Sequence, residues 1–452
     1  MKFSGQIFAS VLAMTAAFGV TGVQAQSIAE ALTRAYQYAP DLASAELAAK
    51  VSSEGIVAAK SAKLPQLGAT VSGDYTVRGV GGSFTDTQSL SAGLGYNQTL
   101  FDSNKTDSNV EAARAGAQAA EYNIRNTEQN VLLAVVQAYM AVLGGRQLVQ
   151  LQSENQTFYQ AQLKSARDRL DVGEGTRIDV AQAEARLAQG VATYRAAVNQ
   201  LEISQATFQR YVGQKPGNLS PSHNFTRLVP RSLDAAIAEA EGGHPAILMA
   251  KAAIRAAQAG GEAAKAAFGP TVALTGSVGM GLTDTAPTPV VSGAVGFKIS
   301  VPIYAGGAIG SGVRKANLQQ IKSEVDAMSA YDRVRESVIS AWSGVQSADS
   351  QIQAAQSAVS AGQEVLSGVI QERDLGARTT LDVLNAQSDL TTARQSLINA
   401  STNKVVATFS LLSAMGHLTA TDLGLGVKIK TAEPYTATVE DVWQELRSVS
   451  DN

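Results

Sequence analysis

Hydrophobic and polar positions alternate along four stretches of the chain. Over residues 67–77, Leu67, Val71 and Tyr75 share one parity, and small or polar residues occupy the other. This period of two is typical of strands with one apolar face. The pattern predicts strands at about 66–78, 88–101, 270–283 and 290–302. The turn-rich segments RGVGGSFTDT and TDTAPTP separate the two members of each pair, so the strands are expected to form two hairpins.

Two runs of helical periodicity are unusually long and contain no proline. Residues 103–171 place Val131, Val135 and Ala138 four and three residues apart, which is typical of a coiled-coil seam. Residues 312–373 repeat this character. About 70 residues at a rise of ~1.5 Å form a rod of roughly 100 Å. The sequence therefore predicts two rod-like helices.

Shorter predicted helices flank each rod. In the first half, one helix at 27–62 precedes the strands, and another at 179–212 follows the rod. A helix at 382–415 follows the second rod. Because each short helix is about half as long as a rod, two of them stacked end to end would lie antiparallel beside it.

The same order of elements occurs twice. Pro40 and Pro245 align at a spacing of 205, and Gly173 and Gly376 align at 203, so a two-residue change falls in the strand region between them. A duplicated unit is expected to differ in its loops in this way. We predict a signal peptide at 1–25, a first repeat at 26–216, a linker at 217–232, a second repeat at 233–420 and a C-terminal segment at 421–452. The linker and the C-terminal segment, which includes a short amphipathic helix at VEDVWQEL, are expected to surround the middle of the rods.

Composition narrows the class of protein. A formal charge of −3 with both signs scattered does not indicate a partner nucleic acid. The three histidines lack metal-ligand spacing and no phosphate-binding or nucleophile motif has a fitting context, so we predict no enzyme, metal or cofactor. Lys2, the apolar run at 7–20 and the small-residue site VQA are typical of a secretory signal peptide. The chain has no cysteine, which argues against disulfides and against lipid attachment through cysteine.

The predicted strands fit either a soluble sheet or a membrane barrel. Their polar face is rich in glycine, serine, threonine and asparagine, like a wet lumen, and no helix is left to cover the apolar face. The barrel interpretation predicts these lipid-facing residues: Leu67, Val71, Tyr75, Leu94, Tyr96, Leu274, Val278, Val295, Phe297 and Ile299. Four strands cannot close a barrel, so the chain must oligomerise to insert: two copies give eight strands, and three give twelve strands with room for a lumen.

A glycine break between rod and short helix appears in both halves, as RLDVGEGTRIDVAQAEARL and RDLGARTTLDVLNAQSDL. These breaks, at 172–179 and 375–382, are the predicted hairpin tips. Gly173, Gly175 and Gly376 suit the turns. Asp179 and Asp382 suit helix caps, and in a closed ring of hairpins they would also form rings of carboxylates.

The duplicated order of elements and both tip motifs resemble the TolC family of outer-membrane channel-tunnels. The resemblance implies a mainly α-helical fold with a β-barrel part, assembled as a homotrimer with a twelve-stranded barrel in outer-membrane lipid and a helical tunnel in the periplasm. It also implies partners, namely a periplasmic adaptor (membrane fusion protein) and an inner-membrane transporter of the ABC or RND type. Type I protein secretion and drug efflux both use such ducts. The alternative is a periplasmic coiled-coil scaffold or adhesin with a soluble β-domain.

The resemblance also assigns tip residues. Arg378 is similar to the family's gate arginine, Asp179 to an aspartate of the first tip, and Asp382 to an aspartate ring at the entrance. Asn385 stands where the family has a second aspartate, which would halve the carboxylates of a cation-binding ring. Arg373 stands where the family has a gate tyrosine, and we expect it to place another positive charge at the tip.

Overall fold

The computed structural model describes residues 26–221, 225–284 and 286–442. The signal peptide predicted at 1–25 and the second half of VEDVWQEL, residues 443–446, lie outside these residues. The helices are α1 Ile28–Tyr38, α2 Pro40–Lys60, α3 Lys105–Asp171, α4 Arg177–Val212, α5 Leu233–Gly243, α6 Pro245–Ala266, α7 Ala308–Asp374, α8 Thr380–Met415 and α9 Glu433–Val439. The strands are β1 Gln66–Val80, β2 Ser83–Phe101, β3 Thr271–Thr283 and β4 Ala286–Ser300.

The single helix predicted at 27–62 is wrong, because the chain breaks between α1 and α2. Ala39 has φ −56° and ψ 116°, and Pro40 is the first residue of α2. A proline disfavours helical geometry in the residue before it, while its own fixed φ suits a helix start. The second repeat breaks in the same way between α5 and α6, where His244 precedes Pro245.

The long helices organise the molecule. α3 and α7 have 67 residues each, and α4 and α8 have 36. α2 and α4 both pack against α3, and α6 and α8 both pack against α7. This arrangement confirms the predicted stacking of two shorter helices beside each rod.

The joint between stacked helices requires glycine. Gly213 ends α4 with φ +81°, and a Cβ there would lie 2.8 Å from Cγ of Tyr38 at the end of α1. Gly416 ends α8 with φ +88°, and its Cβ would lie 3.1 Å from the Cα of His244. A left-handed backbone and a close neighbour both exclude larger residues at these joints.

All four strands form one antiparallel sheet in the order β1-β2-β3-β4. The strands extend farther into the predicted loops than the sequence indicated: β1 and β2 are joined by Gly81 and Gly82 alone, with φ +62° and +87°. Positive φ at both central residues is the requirement of a two-residue hairpin turn, which glycine meets without steric cost.

The main apolar core surrounds the middle of α3. Leu132, Val136 and Tyr139 are fully buried there against residues of α1, α2, α4 and α8. Among the described helices, α3 alone is long and apolar enough in composition to cross a membrane. Its apolar segment is instead part of this core.

The linker and C-terminal segments are fastened to the same region. The Tyr139 hydroxyl lies 2.6 Å from the carbonyl oxygen of Gln26 and 2.7 Å from that of Ser220. The amide of Lys430 donates to the Tyr36 hydroxyl at 2.8 Å. The amide of Ala420 donates to Oε1 of Glu128 at 2.5 Å.

Glu128 is expected to make stability depend on pH. It is 4% exposed, and burial raises the pKa of its carboxyl from 4.5 to about 7, although the Ala420 amide and Arg125 act in the opposite direction. The folded state therefore binds this proton more tightly, and the resulting stabilisation is fully present below about pH 4.5 and lost as the pH rises through about 7. Its size is on the order of 3 kcal/mol.

Thermal unfolding at pH 5 and pH 8, followed by circular dichroism in detergent, checks this prediction. Glu128 should make the wild-type Tm higher at pH 5 than it would otherwise be relative to pH 8. Glu128→Gln should remove this contribution and so change the difference in Tm between the two pH values. Glu154→Gln, an exposed position on the same helix, is the matched control and should keep the wild-type difference. An unchanged difference in Glu128→Gln would contradict the assignment.

Candidate functional site

Each long helix and the shorter helix that follows it, α3 with α4 and α7 with α8, form a helical hairpin. The two helical hairpins turn with the same backbone conformation, at the ends of α3 and α7 that lie farthest from the sheet. Gly173 and Gly376 each have φ +80°. The amide after each glycine reaches back to the last helical turn: Glu174 N donates to Arg169 O, and Ala377 N to Glu372 O, both at 2.8 Å. Such a left-handed residue satisfies carbonyls that a helix end leaves without partners.

Gly175 serves the first tip differently from Gly173. Its amide donates to Arg169 O at 3.0 Å, and a Cβ would lie 3.1 Å from the amide nitrogen of Leu170. The requirement there is close approach of two backbone segments. The structure thus shows a turn role for all three predicted tip glycines.

Asp179 and Asp382 close capping boxes at the starts of α4 and α8. Oδ2 of Asp179 accepts from the amide and hydroxyl of Thr176 at 3.0 and 2.7 Å. Oδ2 of Asp382 accepts from the same groups of Thr379 at 2.9 and 2.8 Å. The hydrogen bonds from Thr379, first from its amide, hold the pKa of Asp382 below its usual value, and nearby Arg378 acts in the same direction. Capping is therefore shown for both carboxylates, and their place in a ring stays a prediction.

Arg378 pairs within its own hairpin. Its Nε lies 2.8 Å from Oε2 of Glu372, and both side chains are about half exposed. This hydrogen bond raises the pKa of the Arg378 guanidinium. Among the described residues no hydrogen bond or ion pair joins Arg378 to Asp179, so these residues of the two tips are not bonded to each other within one chain.

Arg373 lies in the last turn of α7, buried between the two hairpins. It is 9% exposed. Its Nη1 donates to Oε1 of Gln162 in α3 at 2.7 Å, and its Nε and Nη2 donate to Oδ1 of Asp374 at 3.0 and 2.7 Å. The additional positive charge expected at the tip is thus largely buried beside the turn, because the carboxylate and the amide oxygen allow the guanidinium to be buried, and its part in a gate stays a prediction.

Asn385 also connects the two hairpins. Its Oδ1 accepts from Nη2 of Arg186 in α4 at 2.8 Å. An aspartate at 385 would place a charge in this contact, and asparagine keeps only the hydrogen bond. The two positions that depart from the family pattern, 373 and 385, therefore both join hairpin to hairpin.

Sequence reasoning missed a buried polar cluster between α3 and α8, farther from the tips than Asn385. Nε2 of Gln387 donates to Oδ1 of Asn155 at 3.1 Å, and Thr391 Oγ1 lies 3.1 Å from the same oxygen. All three residues are buried between α3 and α8. The spacing of Gln387 and Thr391, four residues apart within an apolar seam, is a signal that could have indicated a paired polar layer.

The strand register places all ten residues predicted to face lipid on one face of the sheet. Leu67 pairs with Tyr96, Leu94 with Val278, and Leu274 with Phe297. Directly paired residues share a face, and so do residues two positions apart. The face is largely exposed in the single chain, and Val295 reaches 84%. A contiguous exposed apolar surface of this kind marks contact with a membrane or a partner.

Comparison with known proteins agrees with this architecture. The family model described as outer membrane efflux protein matches residues 31–214 and 236–417. The outer membrane efflux protein BepC from Brucella suis is 37% identical over 429 residues, 94% of this chain and 92% of that protein. Outer membrane protein TolC from Escherichia coli K12 is 27% identical over 448 residues, 94% of this chain and 89% of that protein.

A solved structure shows the same fold. The Campylobacter jejuni CmeC outer membrane channel gives a TM-score of 0.75 at 17% identity, over 92% of this chain and 89% of that chain. The matched segments cover both repeats, including the sheet and both tips. The chain therefore belongs to the outer membrane efflux protein family, of which TolC is a member, and is an outer-membrane transport protein that extends into the periplasm.

Proposed function

We propose that the protein is a homotrimeric channel-tunnel, the exit duct for type I protein secretion, multidrug efflux or both. An inner-membrane transporter of the ABC or RND type and a periplasmic adaptor open it at the helical tips. The observation that carries this proposal is the sheet, which has one exposed apolar face and two free edges.

The edges indicate how copies assemble. Within the described sheet, β1 and β4 each pair on one side only. A bilayer does not tolerate unpaired backbone groups, so insertion requires β4 of one copy to pair with β1 of the next. This contact is head-to-tail, and repeated rotation closes it into a ring. Three copies give twelve strands and an open lumen, whereas eight strands would be filled by side chains.

The helices support the same head-to-tail order. α6 and α8 lie between α3 and α7, because each packs against both. α2 and α4 pack against α3. α7 therefore lies at one lateral edge of the chain, and α2 and α4 lie at the other. α7 exposes four apolar residues at 3–4–3 spacing: Leu318, Ile321, Val325 and Met328. α2 exposes Leu47 and Val51. A neighbouring copy would cover both stripes, as in a coiled-coil seam.

The tips offer a docking surface for an adaptor. Val172 and Leu375 are the residues that follow α3 and α7, and they are 71% and 86% exposed. Apolar side chains so exposed at the far end of a rod favour a protein partner. In a trimer, Asp382 would recur three times around the entrance and attract cations.

Fractionation and planar-bilayer recording test the proposal. We expect heat-modifiable trimers in the outer-membrane fraction and discrete conductance steps from purified trimers. A soluble periplasmic monomer would overturn the duct and favour the scaffold alternative. Deleting the gene and measuring drug susceptibility and the amounts of secreted proteins then separates efflux from secretion.

Arg378→Ser is expected to raise the conductance of the resting trimer, because it removes a cation that can bond to a carboxylate on an adjacent hairpin. Glu372→Gln is the informative companion, since it removes the partner that Arg378 has within its own hairpin. If Arg378 holds the tip closed by such a bond to a neighbouring hairpin, a latch between hairpins, Glu372→Gln should not open the channel. If both variants raise the resting conductance equally, the bond that matters is the one between Arg378 and Glu372 within one hairpin. If Arg378→Ser leaves the resting conductance unchanged, the latch is contradicted.

A further inference from the structure

Lys298 occupies an unusual place on the polar face of the sheet. It lies in β4 between Phe297 and Ile299, whose side chains belong to the opposite, apolar face. Its register partner is Ala273 in β3, and across β3 the next partner is Thr99 in β2. The residues around it on this face are therefore small or uncharged, and a lysine among them is exposed.

Charge on this face is sparse and divided between the two ends of the sheet. Among the described strand residues it comprises Asp74, Arg78 and Lys298. Asp74 lies at the level of Thr283, next to the turns, whereas Lys298 lies at the level of Ala273, near the helices. Ten residues of β3 separate the two levels, roughly 34 Å along the strand. Lys298 is thus the charged residue of the helix-proximal half of this face.

Neighbouring charges at that level are already paired. Lys63 lies near this level, since its carbonyl oxygen accepts a hydrogen bond from Gln98, the neighbour of Thr99 in the chain. The Lys63 ammonium lies 2.6 Å from Oδ2 of Asp107 and 3.9 Å from Oδ1 of Asp102. Among the described residues, no carboxylate oxygen lies within ion-pair distance of the Lys298 ammonium. Its positive charge is therefore not compensated locally within the chain.

We propose that Lys298 from three copies forms a ring of positive charge in the barrel lumen, which raises the permeability of small anions relative to cations. The inference rests on the proposed trimer. In a closed barrel the apolar face contacts lipid, so the face that carries Lys298 lines the water-filled interior. Rings of like-charged side chains determine ion selectivity in pores.

The dimensions allow the ring to act on the whole cross-section. Twelve strands spaced ~4.8 Å apart and tilted by about 40° form a barrel with a backbone radius of roughly 12 Å. The four-carbon stem of lysine carries the ammonium well inside this radius. At 0.1 M salt the Debye length is about 10 Å, so the fields of the three charges overlap near the axis. At 1 M salt it is about 3 Å, and the effect should disappear.

The ring would act in series with the carboxylates of the tips. Asp382 attracts cations at the periplasmic entrance in the proposed trimer, and Lys298 acts at the base of the barrel. The two charges oppose each other, so the duct as a whole would not be strongly selective for either sign. A conduit for cargo of varied charge benefits from such a balance.

Reversal potentials test the ring. Purified trimers are placed in a planar bilayer under a tenfold KCl gradient centred near 0.1 M. Lys298→Gln should raise the ratio of K⁺ to Cl⁻ permeability about twofold, on the basis of three screened charges near the axis. Lys298→Glu should raise it further, Lys298→Arg should keep the wild-type value, and the difference between variants should vanish at 1 M KCl.

Ser292→Gln is the matched control, because it adds the same side chain on the same face of β4 without changing charge. It should leave the reversal potential at the wild-type value. Channels whose reversal potential does not change in Lys298→Gln and Lys298→Glu would overturn the ring while leaving the duct intact. Absence of trimers and conductance in the wild-type protein would instead overturn the proposed function. Should Lys298→Gln fail to assemble, a raised ratio of K⁺ to Cl⁻ permeability in Lys298→Glu with a wild-type ratio in Lys298→Arg would support the ring, and an unchanged ratio in Lys298→Glu would overturn it.

Discussion

Val295→Arg is expected to abolish assembly of the protein in the outer membrane. Val295 is 84% exposed and lies in β4 at the level of Gly276, with Leu274 and Val278 next to that glycine on the same apolar face. An arginine facing lipid near the bilayer midplane costs about 2–4 kcal/mol per chain. In the proposed trimer, three copies multiply that cost to roughly 6–12 kcal/mol, comparable with the whole stability of an ordinary domain.

Ala294→Arg provides the matched control one residue away. Ala294 belongs to the opposite, polar face, since its partner Ser277 alternates with Val278 along β3. The charge would then enter water, and trimers should still appear in the outer-membrane fraction by heat-modifiable electrophoresis. Normal assembly of Val295→Arg would contradict a lipid-facing role for this face. Equal loss in both variants would indicate a sheet that is packed on both faces.

The strands were predictable because their signal is local. Leu67, Val71 and Tyr75 alternate with polar residues, and this parity alone determines which side chains share a face. The extent of the turns was not predictable from composition, since RGVGGSFTDT reads as a loop. In the structure only Gly81 and Gly82 form the turn, because both adopt positive φ and allow the hydrogen-bond ladder to continue on either side.

At the tips, too, some features follow from neighbouring residues and others from residues far away in the chain. The capping boxes of Thr176 with Asp179 and of Thr379 with Asp382 follow from residues three positions apart, and capping was one of the two interpretations made from sequence. The position of Arg373 depends on Gln162, which is 211 residues away. No local pattern specifies that contact, because it arises only when the two hairpins lie side by side.

Contacts between the two hairpins of one chain form a series that leads upward from the tip. Arg373 reaches Gln162, Arg186 reaches Asn385, and farther up Asn155 meets Gln387. Any opening that moves one hairpin away from the other must break these bonds in order. A hydrogen bond to a charged group contributes about 1.5–3 kcal/mol, so each of these two arginine contacts resists separation more than the neutral bond of Asn155 with Gln387 does.

In the proposed trimer, Arg373→Ala is therefore expected to raise the resting conductance, and by more than Arg378→Ser does. Arg378 is about half exposed and bonded within its own hairpin, whereas Arg373 is buried and bonded to the other hairpin. Its removal also leaves Oε1 of Gln162 without this donor at a partly buried site. A loss of about 1.5–3 kcal/mol per chain corresponds to a shift of roughly tenfold or more toward the open state.

Single-channel recording with a double-mutant cycle identifies the contact responsible. Gln162→Ala should open the resting channel in the same direction, and the double variant Arg373→Ala with Gln162→Ala should add little, because both remove one bond. Arg167→Ala is the control, since Arg167 pairs with Glu184 within the first hairpin and does not join the two. If Arg373→Ala left the resting conductance at the wild-type value, or if the two single effects simply added, the bond between Arg373 and Gln162 would not hold the tip closed.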